Sequence, residues 1–216
     1  IFREIQASLE TRQMIVLTGL RRVGKTTLMH QTINELLQRG VSPYHILYFS
    51  FDEYRHDFAE LIKQYEIQAL RGDISKTKVY IFFDEIQKLP EWTSQVKLLY
   101  DLNPECKIFL SGSAQIMLWK GSRESLAGRF FEFQVVPLDF EEYLRFRDIR
   151  IDGDREAVFE NEIKRCFRDY LESGGFVEAL SLEGMMRRKY FKESLLERVI
   201  FVDVPQTFRL DRPEIL

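Results

Sequence analysis

The chain has little cysteine, and its two cysteines are poorly placed for each other. Cys106 and Cys166 lie far apart with no C-x-x-C or metal-ligand spacing. That argues against a disulfide framework and reads as two reduced, buried thiols in a cytoplasmic protein. The three histidines, His30, His45 and His56, also lack ligand spacing, so a histidine metal centre is not expected. No apolar run approaches about 18 residues, so no membrane-spanning helix is expected. No secretory signal, internal repeat or low-complexity linker is visible. Excess charge of one sign is missing too. With 31 Lys and Arg against 34 Asp and Glu, the net charge is −3. The chain as a whole is therefore not drawn to nucleic acid or acidic membranes, although local basic patches remain open. It starts at Ile1 and stops at Leu216 inside a patterned segment, so further residues are expected at both ends.

What is present is the composition of a soluble globular protein. The 216 residues are 45% hydrophobic and 30% charged, enough for one or two domains with a real core. The organising stretch is Gly19-Leu20-Arg21-Arg22-Val23-Gly24-Lys25-Thr26. It follows the apolar run Met14–Leu17 and opens an apolar-periodic segment through Leu28, Met29, Ile33, Leu36 and Leu37. That is strand, glycine-bounded loop and helix, with the spacing G-x-x-x-x-G-K-[ST]. A triphosphate needs several backbone N–H groups converging on it, and glycines allow that approach. The helix adds its unpaired N–H groups and the positive end of its dipole. Gly19, Arg22, Val23, Gly24, Lys25, Thr26 and Thr27 are thus candidate nucleotide-binding residues. Lys25 can reach the β- and γ-phosphates, Thr27 the α-phosphate, and the Thr26 hydroxyl can ligate Mg²⁺.

Along the chain, Ile1–Glu10 has helical spacing and is expected beside the nucleotide pocket. Strands are predicted at about 14–18, 45–51, 79–85, 107–110 and 130–136. Helices are predicted at about 25–38, 57–70 and 91–102, with short ones at 114–119 and 122–126. The alternation argues for a parallel α/β sheet. After Pro137 only helices follow, at about 139–146 and 155–172, then the turn Ser173-Gly174-Gly175 and a short helix. A basic helix carrying Arg187, Arg188, Lys189 and Lys192 comes next, then an irregular tail from Asp203. Boundaries are expected near Pro137 and Gly184.

Val79–Phe83 is apolar throughout, as in a strand covered on both faces, and ends in Asp84-Glu85. At the carboxyl end of such a strand the ligand crevice is expected. Asp84 is a candidate Mg²⁺ residue, and Glu85 can orient and polarise the attacking water. Ser111-Gly112-Ser113 ends the fourth strand. A hydroxyl there either bonds the γ-phosphate or water, or caps a helix from Ala114. Arg129 either acts on a neighbouring subunit's γ-phosphate or forms an intramolecular ion pair. Arg21 and Arg22 are either solvated or raise the local potential. Trp92 and Trp119 are assigned to packing.

These residues resemble a known group. The phosphate loop, Asp84-Glu85-Ile86-Gln87 with Pro90 and Trp92, and Leu110–Ser113 come in its order. So do Leu126–Arg129, Val136–Glu142 and Gly174-Gly175-Phe176. Together they resemble the AAA+ type P-loop ATPases of bacteria and archaea near the STAND and origin-recognition groups, over about residues 1–182. The resemblance implies an α/β three-layer sandwich with a five-stranded parallel sheet. It also implies a small helical lid and the start of a C-terminal helical or winged-helix region. The matching boundaries are 1–137, 138–183 and 184–216. By analogy Ser113 falls at the sensor 1 position and Arg129 in the box that holds arginine fingers acting in trans in an oligomer. Val177 stands where the lid motif usually has a proline near the adenine, and no sensor 2 arginine is evident. The tail from Tyr190 resembles the start of the C-terminal region.

The expected activity is Mg²⁺-dependent ATP binding and hydrolysis coupled to conformational change, with Glu85, Lys25, Ser113 and Arg129 as candidate catalytic residues. The alternative is a slow, STAND-like switch that holds ADP or ATP and acts on a protein or DNA partner. Nucleotide co-purifying with the protein, and turnover only with a partner, would favour it. DNA contact would fall to the Arg187-Arg188-Lys189 helix, and would show as salt-sensitive binding.

Overall fold

A computed structural model describes residues 1–52, 57–113, 126–149 and 156–205. Two compact units emerge. The first comprises Ile1–Leu20 and Gly24–Val135, and the second comprises Arg21–Val23 and Val136–Leu216.

The first unit is built on five parallel strands, β1 (Met14–Thr18), β2 (Ile46–Ser50), β3 (Val79–Asp84), β4 (Cys106–Ser111) and β5 (Phe130–Gln134). Their order in the sheet is β2-β3-β4-β1-β5, every pair parallel. Every residue of β1, β3 and β4 is buried, while β2 and β5 at the edges are only partly covered. This is why β1 and β3 read as nearly continuous apolar runs, since both faces need apolar cover, while β4 also buries Lys107. The helices are α1 (Phe2–Ala7), α2 (Lys25–Gln38), α3 (Phe58–Tyr65) and α4 (Trp92–Leu102).

Alternate strand residues serve opposite faces. Met14, Val16, Ile81, Phe83, Ile108 and Leu110 share one core with Phe58, Ile62 and Tyr65 of α3 and with Trp92, Val96 and Leu99 of α4. On the intervening residues Phe82 and Phe109 stack with ring centroids 4.2 Å apart, and α2 packs against β4. Asp57 caps α3 through the Glu60 N–H. The predicted helix 57–70 is α3 followed by one π-type turn, Glu66–Leu70. The predicted short helices at 114–119 and 122–126 lie essentially outside the described residues, as does Trp119. Trp92 is buried as expected.

The amino ends of the strands are fastened by Lys107. Its buried ammonium donates to Ser8 O, Thr11 O, Thr11 Oγ1 and Gln13 O at 2.5–3.2 Å. The segment after α1 is thereby tied to the edge of the sheet away from the phosphate loop, which leaves β1 at its carboxyl end.

The second unit is helical: α5 (Phe140–Phe146), α6 (Glu156–Ser173), α7 (Val177–Leu180) and α8 (Gly184–Lys189), which runs on into π-type turns at Tyr190–Leu196 and Val199–Asp203. Asp139 and Glu142 form a reciprocal capping box at the start of α5. Gly175 sits at φ +71, and a Cβ there would lie 2.3 Å from Leu138 O. Glycine is required on both counts.

The polar centre of this unit is Asp169. It accepts from Tyr143 Oη at 2.7 Å, Arg147 Nη2 at 2.9 Å and Arg187 Nη2 at 2.7 Å. Arg187 is buried and also donates through Nε to Ala179 O and Leu182 O. Burial pushes the Asp169 carboxyl up, but the Tyr143, Arg187 and Arg147 donors outweigh it and hold it below the usual carboxylate range.

Replacing Asp169 removes the closer of the two carboxylates that face the buried Arg187 guanidinium and leaves it only Glu172, at 3.4 Å. Asp169→Asn should lower the second unit's stability by about 2 kcal/mol or more, read by hydrogen exchange across α6–α8. Because the folded value is depressed, this contribution is complete above the unfolded value near 3.8 and is lost as pH falls through the folded one. The gap between wild type and variant should therefore close below about pH 4.

Candidate nucleotide site

The phosphate loop leaves β1 at Thr18 and enters α2 at Lys25. Three of its residues have positive φ: Gly19 at 144°, Arg22 at 63° and Gly24 at 100°. Gly24 is the residue before the first helical turn of α2. Its left-handed backbone turns the chain sharply into the helix and aims the helix's unpaired N–H groups at the loop. Lys25 is buried, and its Nζ donates to Gly19 O at 3.1 Å and Leu20 O at 2.8 Å. Its side chain thus lies along the inside of the loop.

Beneath the loop stands Asp84, at the end of β3 and only 3% exposed. A carboxylate this buried needs donors. Thr26 Oγ1 donates to its Oδ2 at 2.7 Å, Tyr48 Oη donates to the same oxygen at 3.1 Å, and Ser111 Oγ donates to Oδ1. The sheet order explains the meeting. β3 lies between β2 and β4, so Tyr48 and Ser111 approach Asp84 from its two neighbouring strands. Thr26 comes from the first turn of α2. All these donors are oxygens, and the Thr26–Asp84 pairing suits a hard divalent cation such as Mg²⁺.

Glu85 follows in the left-handed region, at φ 54° and ψ 42°. Its N–H lies 3.2 Å from both Asp84 Oδ1 and Ser111 Oγ. Its Oε2 accepts from Gln87 Nε2 at 2.5 Å.

The structure thus gathers Lys25, Thr26, Asp84 and Glu85 at one strand end. Ser113 lies two residues past β4 and is half-buried. The hydroxyl that reaches Asp84 is that of Ser111, which the sequence places in the strand-end Ser111-Gly112-Ser113 but does not single out, Ser113 being the chosen candidate. The helix that Ser113 might have capped lies outside the described residues. Tyr48 and Gln87 were also missed. Ser111 had a signal, since a strand ending one residue later puts it level with Asp84. Tyr48 had none without the strand order.

Arg129 is elsewhere. It precedes β5, its carbonyl accepts from Met14 N, and its guanidinium pairs with both oxygens of Asp101 at 2.9 and 3.2 Å. Its side-chain bond to Asp101 holds that carboxyl below the usual range. In register it stands at the amino end of β1, roughly 17 Å of strand from the loop. It therefore does not share its own chain's phosphate loop.

Arg21–Val23 group with the second unit. There Arg22 donates to the Glu178 carboxylate, and its guanidinium lies 5.4 Å from the Tyr190 ring centroid. Arg22 is thus neither freely solvated nor an uncompensated cation. Val177 opens α7 and is 39% exposed. The basic helix also needs correcting. Arg187 faces Asp169 in the interior, so of the three adjacent cations considered for DNA only Arg188 and Lys189 are exposed. No helix among the described residues is long and apolar enough to cross a membrane.

Residues 11–144, more than half of the chain, match the AAA domain family. The chain is 30% identical over 225 residues to the uncharacterized protein MJ1637 of Methanocaldococcus jannaschii, covering 94% of this chain and 46% of that protein. It is 28% identical over 204 residues to the uncharacterized protein MJ1544 of the same organism, covering 94% and 44%. The chain thus spans about half the length of these curated relatives. Among solved structures it resembles a chain of the S. cerevisiae Hsp104:casein complex, with TM-score 0.51 and 16% identity over 80% of this chain and 33% of that one. It also resembles AMPPCP-bound DnaA from Aquifex aeolicus, with TM-score 0.48 and 19% identity over 96% and 69%. At such identities the Hsp104 likeness is one of fold. With a five-stranded parallel sheet, a phosphate loop after β1 and a family match over residues 11–144, this chain belongs to the AAA domain family and has the P-loop nucleoside-triphosphatase fold.

Proposed function

We propose that the first unit binds ATP with Mg²⁺ and hydrolyses it, and that turnover drives a change in conformation. The observation that carries this reading is the meeting of Thr26 and Asp84, 58 positions apart in sequence, at 2.7 Å under a loop that encloses Lys25. In this reading the N–H groups of Gly19–Thr27 cradle the phosphates, and Lys25 moves from its carbonyl partners to the β- and γ-phosphates. Thr26 and Asp84 hold Mg²⁺, which when bound neutralises phosphate charge. Glu85 orients a water and takes its proton as the new bond to the γ-phosphorus forms. The bond from that phosphorus to the bridging oxygen breaks, giving ADP and phosphate. Ser113, just beyond β4, is the candidate for sensing the γ-phosphate. Residues 138–183 would act as the lid and 184–216 as the start of a C-terminal region.

Arg129 fits a role in trans. A guanidinium at the amino edge of the strands is far from its own loop, and its place before β5 is compatible with reaching a neighbouring copy in an oligomer.

Lys25→Ala should weaken nucleotide binding and reduce phosphate release to background, by about 100-fold or more, because positioning and charge carry this chemistry. Glu85→Gln should keep nucleotide affinity while turnover falls about 100-fold. Phosphate release by Glu85→Gln at the wild-type rate would remove the role given to Glu85.

Mixing Glu85→Gln with Arg129→Ala protein should restore part of the turnover that each lacks alone. An oligomer that forms without any recovery would leave Arg129 as the structural partner of Asp101.

A further inference from the structure

Glu85 is held at both ends. Its backbone occupies a left-handed conformation that is unfavourable for a non-glycine residue. Its N–H is directed at Asp84 and Ser111. The carboxylate is fixed separately, by Gln87 Nε2 on Oε2. The two residues are separated only by Ile86, whose buried side chain anchors the tight turn Ile86–Lys88.

The orientation of the Gln87 amide follows from chemistry. An ionised carboxylate only accepts, so the NH₂ group must face Glu85 and the amide oxygen must face away. That oxygen, Oε1, is buried and receives no hydrogen bond from the described residues. An unsatisfied buried acceptor is a standing cost to the folded protein. A glutamine serving only the packing of the turn would be poorly chosen, since an apolar side chain of the same size would avoid that cost. What the amide contributes is the hold on Glu85.

We propose that Gln87 is a positioning residue for Glu85: its amide N–H fixes Oε2 of the carboxylate so that the other carboxylate oxygen of Glu85 is presented to the nucleophilic water. The inference deepens the reading of Glu85 as the group that activates water and rests on it. Gln87 gives up no proton and forms no bond to substrate. Its effect should appear in the rate of the chemical step and not in nucleotide affinity.

The test is a double-mutant cycle in the full chain, with single-turnover ATP hydrolysis, steady-state kcat and KM, and binding of a fluorescent ATP analogue. Gln87→Met keeps the length of the side chain and removes the donor, and should lower kcat about 10-fold with KM and nucleotide affinity within about 2-fold of wild type. Gln87→Glu supplies a like charge in place of a donor and should lower kcat further. In the Glu85→Gln background, Gln87→Met should have no additional effect, because both residues act through one carboxylate. An unchanged or increased kcat in Gln87→Met would overturn the inference. So would a fall of the same size in the Glu85→Gln background, or a loss expressed in KM. Glu85→Gln by itself reports on the underlying reading, so the two failures are separable. Thermal melting of each variant, with Gln87→Glu as the second substitution, separates a folding defect from a kinetic one.

Discussion

A buried carboxylate is the constraint around which the first unit is arranged. Asp84 lies at the end of a strand covered on both faces, where an ion without hydrogen bonds would cost several kcal/mol. Its donors come from three different elements: Thr26 from α2, Tyr48 from β2 and Ser111 from β4. They converge only because β3 is flanked by β2 and β4 and because α2 starts where β1 ends. The hydrophobic residues of β1, β3 and β4 set that order by needing cover on both faces. The polar residues at their carboxyl ends then find one another. Packing thus builds the site, and the site's chemistry is concentrated where the packing stops.

The second unit solves a similar problem with a different pair. Asp169 gathers Tyr143 and Arg147 from α5 and its C-cap and Arg187 from α8, and the charge of Arg187 is spent inside the unit. A basic run on a helix is thereby split into an interior member and exposed ones. Glycine has a comparable structural task at position 175, where the backbone of Leu138 passes too close for any side chain.

Much of the fold was legible in the sequence, because its signals are local. The apolar runs of β1 and β3 announced strands, and the glycine spacing announced the loop. Asp57 and Asp139 announced their helices through caps that are present. The grouping of Lys25, Thr26, Asp84 and Glu85 also followed, since each sits at the end of a recognisable strand or the start of a helix. What escaped depends on register and on neighbours distant in sequence. The strand β4 extends one residue further than expected at its carboxyl end, which gives Asp84 to Ser111. Nothing in the local pattern says that Tyr48 will reach across from β2, or that Arg187 will turn inward to Asp169. The bond from Gln87 to Glu85 needed the left-handed turn at Glu85, which no propensity for glutamate suggests.

The central claim is that Thr26 and Asp84 form an oxygen site that couples Mg²⁺ to nucleotide. The most direct measurement is the affinity of a fluorescent ATP analogue for wild type and Asp84→Asn protein across a Mg²⁺ titration. Wild type should bind more tightly as Mg²⁺ rises, and Asp84→Asn should lose most of that dependence while remaining folded. The same Mg²⁺ dependence in both proteins would contradict the account.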